Sequence, residues 1–312
     1  MNISVIIPVY NAIAFLEKAV ESASQFDEVK EIILVEDQST DNSLIFCEKI
    51  AAVNPKVKLY QHPDFGNHGA GASRNLGLRK ATQEFVAFLD ADDYYLENRF
   101  SAEHELFENK KIDGVFGALG TEFLTEKGKE EFEKKFKTTN NLTTVNYAAE
   151  GKEVFKGLLG LTSKTFGTFF HLNTLTIRRD FLTQKNLRFN EKLRVHQDSD
   201  FIFRLAYSCH LKSGIIDQAI AIRGVHDDNR ITKIVPYSAK YNERQFLLWN
   251  SLQEWSEKEN VEKEARKVIY LKKTAFQLAT EKGLKKGFHL LNEIIKNPEI
   301  LRTKYRFTYL KR

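Results

Sequence analysis

The sequence predicts an α/β fold, a doubly wound and mostly parallel sheet followed by a helical C-terminal lobe. Three observations predict it. Short apolar runs alternate with helical patterns over roughly the first 115 residues. The early runs are continuous, not alternating, as in strands buried on both faces of a parallel sheet. Everything after Pro236 is helical in pattern.

Taken in order, Ile3 to Val9 is the first strand, and Ala14 to Ala23 is a helix with Phe15, Ala19, Val20 and Ala23 on one face. Glu31 to Val35 is the second strand. Ser39-Thr40-Asp41 supplies the N-cap for a helix over Leu44 to Val53. Val57 to Gln61, a helix over Ala72 to Ala81, and a strand over Glu84 to Leu89 complete the regular alternation. A helical stretch from Glu97 to Asn109 and an apolar run at Val115 to Ala118 come next. Residues from about 121 to 165 are rich in Lys and Glu and are expected to be an insertion, with a helix over Glu122 to Lys137. Phe169 to Ile177 returns to strand character, Arg179 to Lys185 and Asp198 to Cys209 are helical, and Lys212 to Arg223 closes the body with a strand. The expected division is residues 1–235 as the sheet domain and 236–312 as a basic lobe of two or three helices.

A length of 312 residues can bury a full core, and 42% hydrophobic with 29% charged residues is an ordinary globular composition. Cys47 and Cys209 stand far apart and outside any Cys-x-x-Cys pair, which argues against a disulfide framework and a zinc site and fits a reducing compartment. Pro8, Asn11 and the lack of basic residues before Ile3 argue against a signal peptide, and no run of about 18 apolar residues follows. The expected location is cytoplasmic, with peripheral attachment to the inner face of the membrane as an extension. The net charge of +5 is uneven, because Ala265 to Arg312 holds 13 Lys and Arg against 3 Glu. That tail is either a solvated helical surface or a contact for an anionic membrane. It lacks the aromatic and basic arrangement of a single-strand-binding module, so no nucleic acid is expected. Oligomeric state is not legible.

In an open parallel sheet, ligands bind beyond the carboxyl ends of the strands. The residues there are Pro8-Val9-Tyr10-Asn11, Glu36-Asp37-Gln38-Ser39 and Asp90-Ala91-Asp92-Asp93. The first set lacks the glycines of a dinucleotide fold, and no Gly-x-x-x-x-Gly-Lys-[Ser/Thr] loop occurs. Phosphate must therefore be handled another way. Carboxylates at a strand end can hold a hard divalent cation, which neutralises a diphosphate. Asp-x-Asp-Asp alone also describes a solvated turn, and its place directly after Phe85-Val86-Ala87-Phe88-Leu89 favours the functional reading.

Four segments in order resemble family 2 glycosyltransferases, whose fold is called GT-A. They are Ser4-Val5-Ile6-Ile7-Pro8-Val9-Tyr10-Asn11, Val35-Glu36-Asp37-Gln38-Ser39-Thr40-Asp41, Ala72-Ser73-Arg74-Asn75-Leu76-Gly77 and Phe88-Leu89-Asp90-Ala91-Asp92-Asp93. The match runs over about residues 1 to 230 and is strongest in the first 100. The resemblance implies that Pro8, Tyr10 and Asn11 shape the nucleoside pocket and that Asp37 accepts a hydrogen bond from the base, which in uracil is an N–H donor. A turn residue is the other reading of Asp37. Arg74 would hold phosphate or ribose, or else form a surface ion pair. Asp90 would contact ribose, Asp92 would bind Mn²⁺ or Mg²⁺, and Asp93 would be the alternative or second acidic contact.

Gln197-Asp198-Ser199-Asp200-Phe201 resembles the family's Glu-Asp pair, with Gln197 in place of the usual acid. Asp198 takes the position of the general base; Asp198 or Ser199 could also cap the following helix. Arg223-Gly224-Val225-His226-Asp227-Asp228-Asn229 resembles the late Arg-x-x-His-x-x-Asn segment, which makes His226 a metal or diphosphate ligand, or a structural histidine. His171, His196 and Cys209 receive no role. The reaction implied is metal-dependent, inverting transfer of a sugar from a nucleotide-sugar donor, UDP-linked by resemblance, to an acceptor hydroxyl. The acceptor would be a saccharide or lipid-linked oligosaccharide of surface polysaccharide synthesis. The rival reading is a non-catalytic nucleotide-sugar-binding scaffold, which would bind donor without turnover.

Overall fold

The computed structural model describes residues 1–136, 142–167, 169–227, 235–302 and 309. Its elements begin with β1 (Ile3–Val9), α1 (Leu16–Ser24), β2 (Val29–Glu36), α2 (Ser43–Val53), β3 (Val57–Gln61), α3 (Ala70–Lys80) and β4 (Phe85–Phe88). They continue with β5 (Asp93–Tyr95), α4 (Ser101–Leu106), β6 (Gly114–Phe116), β7 (Ala118–Phe123), α5 (Glu126–Phe136), β8 (Leu142–Thr143) and α6 (Lys152–Leu159). After a 3-10 turn at Leu172–Thr174 come β9 (Leu175–Arg178), α7 (Arg179–Gln184), α8 (Gln197–Ser208), β10 (Leu211–Ser213) and β11 (Ala219–Val225).

Seven strands form one sheet in the order β10-β6-β9-β4-β1-β2-β3. All pairs are parallel except those of β9, which runs antiparallel to both β4 and β6. The α/β, mostly parallel expectation is met. The apolar runs of β1 and β2 are buried because helices cover both faces, and α1 turns Leu16, Ala19, Val20 and Ala23 inward. Small residues let α3 lie close on β1: a Cβ at Gly77 would stand 2.4 Å from Ile6 Cγ2.

Several boundaries differ from the sequence reading. The run Val115 to Ala118 is two strands in two sheets, β6 in the main sheet and β7 in a second sheet ordered β5-β11-β7-β8. Lys212 to Arg223 likewise divides into β10 and β11, one in each sheet. An apolar run shows burial but not which sheet buries it, so a change of sheet after one or two residues leaves no mark in periodicity. Phe169 to Ile177 is partly the 3-10 turn and only then a strand. The helix expected from Glu97 to Asn109 contracts to Ser101–Leu106. The expected insertion starts inside β7, since Thr121 to Phe123 pair with β11.

The chain divides into two compact units, one of Met1–Glu133 and Lys137–Asp227, the other of Lys134–Phe136 and Asp228–Arg312. Among its described residues the second unit holds α9 (Ala239–Lys258), α10 (Lys263–Thr280) and α11 (Gly283–Lys296), then a 3-10 turn at Pro298–Arg302. Leu271, Ala275, Leu278, Ile300 and Tyr309 form its own apolar centre, with Leu290 and Ile294 of α11 against it. No helix among the described residues is long and apolar enough to cross a membrane.

Candidate active site

The parallel register sets the site. Val9 pairs with Glu36, Ile6 pairs with Phe88, and the Leu89 N–H donates to the Ile6 carbonyl at 3.1 Å, so the residues after β1, β2 and β4 emerge at one edge. Tyr10 projects from that edge 51% exposed, while Asn11 takes a left-handed conformation, with φ 49°. The Asn11 side-chain oxygen accepts the Thr40 N–H at 2.7 Å, and the Ser39 hydroxyl oxygen accepts the Asn11 N–H at 3.0 Å. Asn11 thus shapes the edge by tying two loops together; Pro8 is half-buried beneath it. The helix cap differs from expectation: α2 begins at Ser43, and Asp41 accepts from the N–H groups of Ser43 at 2.9 Å and Ile13 at 3.2 Å.

Asp37 is buried, and its two carboxylate oxygens accept the backbone N–H groups of His68 and Gly69, each at 2.7 Å. In this state it anchors the loop that enters α3. The Asn67 side chain donates to the Asp37 carbonyl at 2.8 Å, which fixes the same loop a second time.

The acidic cluster is the end of one sheet and the start of another, because Asp93 opens β5. One continuous network holds it. Buried Arg74, on α3, donates to Asp90 Oδ1. The Asp90 N–H donates to Asn173 Oδ1 at 3.1 Å, Asn173 Nδ2 donates to Asp93 Oδ2, and the Gly224 N–H donates to Asp93 Oδ1 at 3.0 Å. Burial, the largest single influence, would raise the Asp90 pKa, but the charge and hydrogen bond of Arg74 together with the charges of His171 and Arg223 outweigh it and lower that pKa. Asp93 goes the other way: burial, with the charges of Asp92 and Asp90, lifts it well above the usual carboxylate range.

Asp92 faces outward with about a third of its side chain exposed, and its Oδ2 lies 3.4 Å from His226 Nε2. The His226 ring packs on Phe15 with centroids 4.5 Å apart. An oxygen and a nitrogen this close can ligate one hard or borderline cation. A second donor group is Asp90, Asp93 and His171, whose ligand atoms lie within 4.8 Å of one another. Within it, Asp93 has both oxygens engaged by protein donors, so its first task is to pin the cluster. Gly224 has no room for a side chain, since a Cβ there would lie 2.6 Å from the Asp92 carbonyl oxygen. Asp228 and Asn229, the end of the late motif, lie outside the described residues.

Asp198 stands in the first turn of α8. The capping expectation changes: His196, in a left-handed conformation with φ 63°, precedes the helix, and neither Asp198 nor Ser199 is the cap. Gln197 lies against α3, since a Cβ at Gly71 would meet its Oε1 at 2.8 Å. Asp198 acts electrostatically on His171, as does Asp90. Burial, joined by the charges of Arg223 and Arg74, nevertheless lowers the His171 pKa to about 4, so the imidazole is neutral at neutral pH.

Sequence reasoning passed over His171 and Asn173. The only available signal was a polar pair, His171 and Asn173, inside the otherwise apolar and Thr-rich run Phe169 to Ile177.

A parallel sheet whose strand ends gather an arginine, a pinned acidic cluster, a histidine and a helix-borne carboxylate has the layout of a ligand-binding α/β domain. Comparison with known proteins agrees. Residues 4–173 match the model of glycosyl transferase family 2. The chain is 27% identical over 223 residues to the minor teichoic acid biosynthesis protein GgaB of Bacillus subtilis, covering 70% of this chain and 22% of that protein. It is 31% identical over 209 residues to a cholesterol galactosyltransferase of Borreliella burgdorferi, covering 65% of this chain and 55% of that one. The chain therefore spans only part of the length of these relatives. Among solved structures, S. aureus TarS 1–349 in complex with UDP-GlcNAc superposes with TM-score 0.62 at 18% identity, over 99% of this chain and 87% of that one, which is a likeness of fold. The chain belongs to glycosyl transferase family 2, and with it to the glycosyltransferase enzymes.

Proposed function

We propose that the chain transfers a sugar from a UDP-linked donor to an acceptor hydroxyl with inversion, using Asp198 as the base and a divalent cation held by Asp92 and His226. The observation that carries this reading is the network from Arg74 through Asp90 and Asn173 to Asp93, which leaves Asp92 outward beside His226. A pinned cluster with one carboxylate turned out is built to hold charge that arrives from outside. When bound, the cation offsets the donor diphosphate and the charge that grows on it as the sugar leaves. A nitrogen donor in the set favours Mn²⁺ over Mg²⁺.

The chain's own groups supply the rest. Arg74 Nε is buried without a protein partner among the described residues, and a ribose or phosphate oxygen would satisfy it. Tyr10 offers an exposed ring at the edge where the base would lie, with Pro8, Asn11 and the Asp37-anchored loop around it. Asp198 accepts the acceptor's proton as the new bond forms, and the hydroxyl becomes acidic only while it attacks. A neutral His171 beside Asp90 adds a hydrogen-bonding group without adding charge. A UDP-sugar rather than a GDP-sugar is favoured by the fold likeness to TarS, whose structures hold UDP-GlcNAc and UDP; a mannosyltransferase from Pyrobaculum calidifontis with GDP-Man and Mn²⁺ superposes with TM-score 0.52. GgaB makes a surface polymer acceptor the natural first candidate.

The test is thermal unfolding with a panel of nucleotide-sugars, with and without Mn²⁺, followed by a nucleotide-release assay on the stabilising donor. Ligand at 100 times its Kd adds about 2.7 kcal/mol of apparent stability, a readily measured shift. UDP-sugar stabilisation that needs the cation, with nucleotide release, is expected. Stabilisation without release in the presence of acceptor candidates would leave a nucleotide-sugar binder, and cation-independent stabilisation would remove the metal from the reading.

A further inference from the structure

The last helix presents apolar side chains to water in a regular line. On α11, Leu284 is 82% exposed, Phe288 72%, Leu291 61% and Ile295 81%. Their spacing of four, three and four residues places all four on one stripe of the helix. The sequence leaves this tail either as a solvated helical surface or as a contact for an anionic membrane, and the structure separates its apolar residues into two sets: Leu290 and Ile294 join the apolar centre of their unit and the other four do not. Scattered exposed leucines are normal, but a contiguous stripe on a single helix marks a surface that meets something apolar.

Charge selects the occupant. Lys282, Lys285 and Lys296 are exposed at the ends and flank of the stripe. The only carboxylate on the helix, Glu293, is buried and accepts the Tyr270 hydroxyl at 2.7 Å, so no acid on the outer face answers those lysines. Two copies meeting through this stripe would bring lysines together without a counter-charge. An anionic lipid surface supplies both the counter-charge and the apolar depth. The 14-residue helix is also too short to span a bilayer and suits a position in the plane of the interface.

We propose that α11 is a membrane-docking helix, which inserts Leu284, Phe288, Leu291 and Ile295 into the headgroup boundary of an anionic membrane and sets Lys282, Lys285 and Lys296 against its phosphates. The docking stands independently of the sugar-transfer reading. It is tested on the full chain by co-sedimentation with vesicles of phosphatidylcholine alone or mixed equally with phosphatidylglycerol. Wild type binds the mixed vesicles at low salt, binds neutral ones far more weakly, and is released as salt rises. Reversing the three lysines (Lys282→Glu, Lys285→Glu, Lys296→Glu) weakens binding by about tenfold or more. The set Leu284→Ser, Phe288→Ser, Leu291→Ser and Ile295→Ser weakens it by a similar factor, with unchanged far-ultraviolet circular dichroism because the side chains are exposed. Phe288→Trp gives a gain of signal over Trp249 and Trp255, a blue-shifted emission on mixed vesicles. No wild-type binding at low salt, binding indifferent to the four serines, or Phe288→Trp emission unmoved by bound vesicles each overturns the proposal. So does a dimer in sedimentation velocity that the four serines dissolve, because a second copy then covers the stripe.

Discussion

At the carboxyl edge of the main sheet, Asp93 and Arg74 are each 4% exposed, whereas on α11 Leu284 and Ile295 stand more than four-fifths in water. The two regions depart from ordinary burial in opposite directions. The inward ionisable groups are held by partners: Arg74 by Asp90, Asp93 by Asn173 and Gly224. A buried charge left alone would neutralise itself or unfold its surroundings, so this arrangement is a built site. The outward apolar groups have no such compensation within their helix, and water does not reward their exposure. The reason for the first region lies inside the chain, and under the docking proposal the reason for the second lies outside it.

The largest expected effect breaks the sheet-edge side of that contrast. Asp92→Asn removes the outward carboxylate while leaving the Asp93 pins, so kcat/KM falls by about 10³-fold with the unfolding midpoint nearly unchanged. Transfer assays paired with thermal unfolding read both, and retained transfer would take Asp92 out of the cation site. Asp198→Asn comes next: kcat falls by about 10²-fold while donor affinity in calorimetry stays near wild type. If affinity falls in step with kcat, Asp198 belongs to donor binding or to the fold.

A glycine pair sharpens the same contrast, because one change should have opposite signs in the two regions. Gly224→Ala must displace the Asp92 backbone, as the new Cβ would stand 2.6 Å from its carbonyl oxygen, and it costs about 1–3 kcal/mol of stability. Gly287→Ala on α11 meets nothing within 4 Å and adds up to about 1 kcal/mol through helix propensity. Chemical denaturation of both variants decides it; equal signs would show that the crowding at Gly224 relaxes freely.

The smallest effect concerns acid. Burial opposes ionisation of Asp41, but hydrogen bonds from Ser43 and from the Ile13 N–H outweigh it and lower the pKa. A lowered carboxylate pKa contributes stability that is complete above the unfolded value of about 3.9 and is lost as pH falls through the folded one. Asp41→Asn should therefore lower the unfolding midpoint at neutral pH, with the gap to wild type closing below about pH 4. A gap that stays constant in acid would show that Asp41 contributes shape and not charge.

Much of the molecule was legible from residue order. Continuous apolar runs identified β1, β2 and β4 because strands covered on both faces cannot alternate, and the acidic cluster was conspicuous because it followed such a run directly. The expected cap on α8 missed because a left-handed His196 carries no sequence signature of the Ser, Thr, Asp or Asn kind. Asn173 was invisible as a bridge because its partners, Asp90 and Asp93, lie 83 and 80 residues away.

By itself the sequence determined the α/β alternation, the family and the set of strand-end residues, since these follow from local periodicity and from motifs of adjacent residues. Only the tertiary structure decided which acids point in and which out. Asp92 and Asp93 are neighbours of one chemical type, and their difference is made by Gly224, Asn173 and His226 arriving from far along the chain. It also decided that Leu290 packs while Leu291 faces water, because adjacent helical residues point about 100° apart and only a packed neighbour can choose between them.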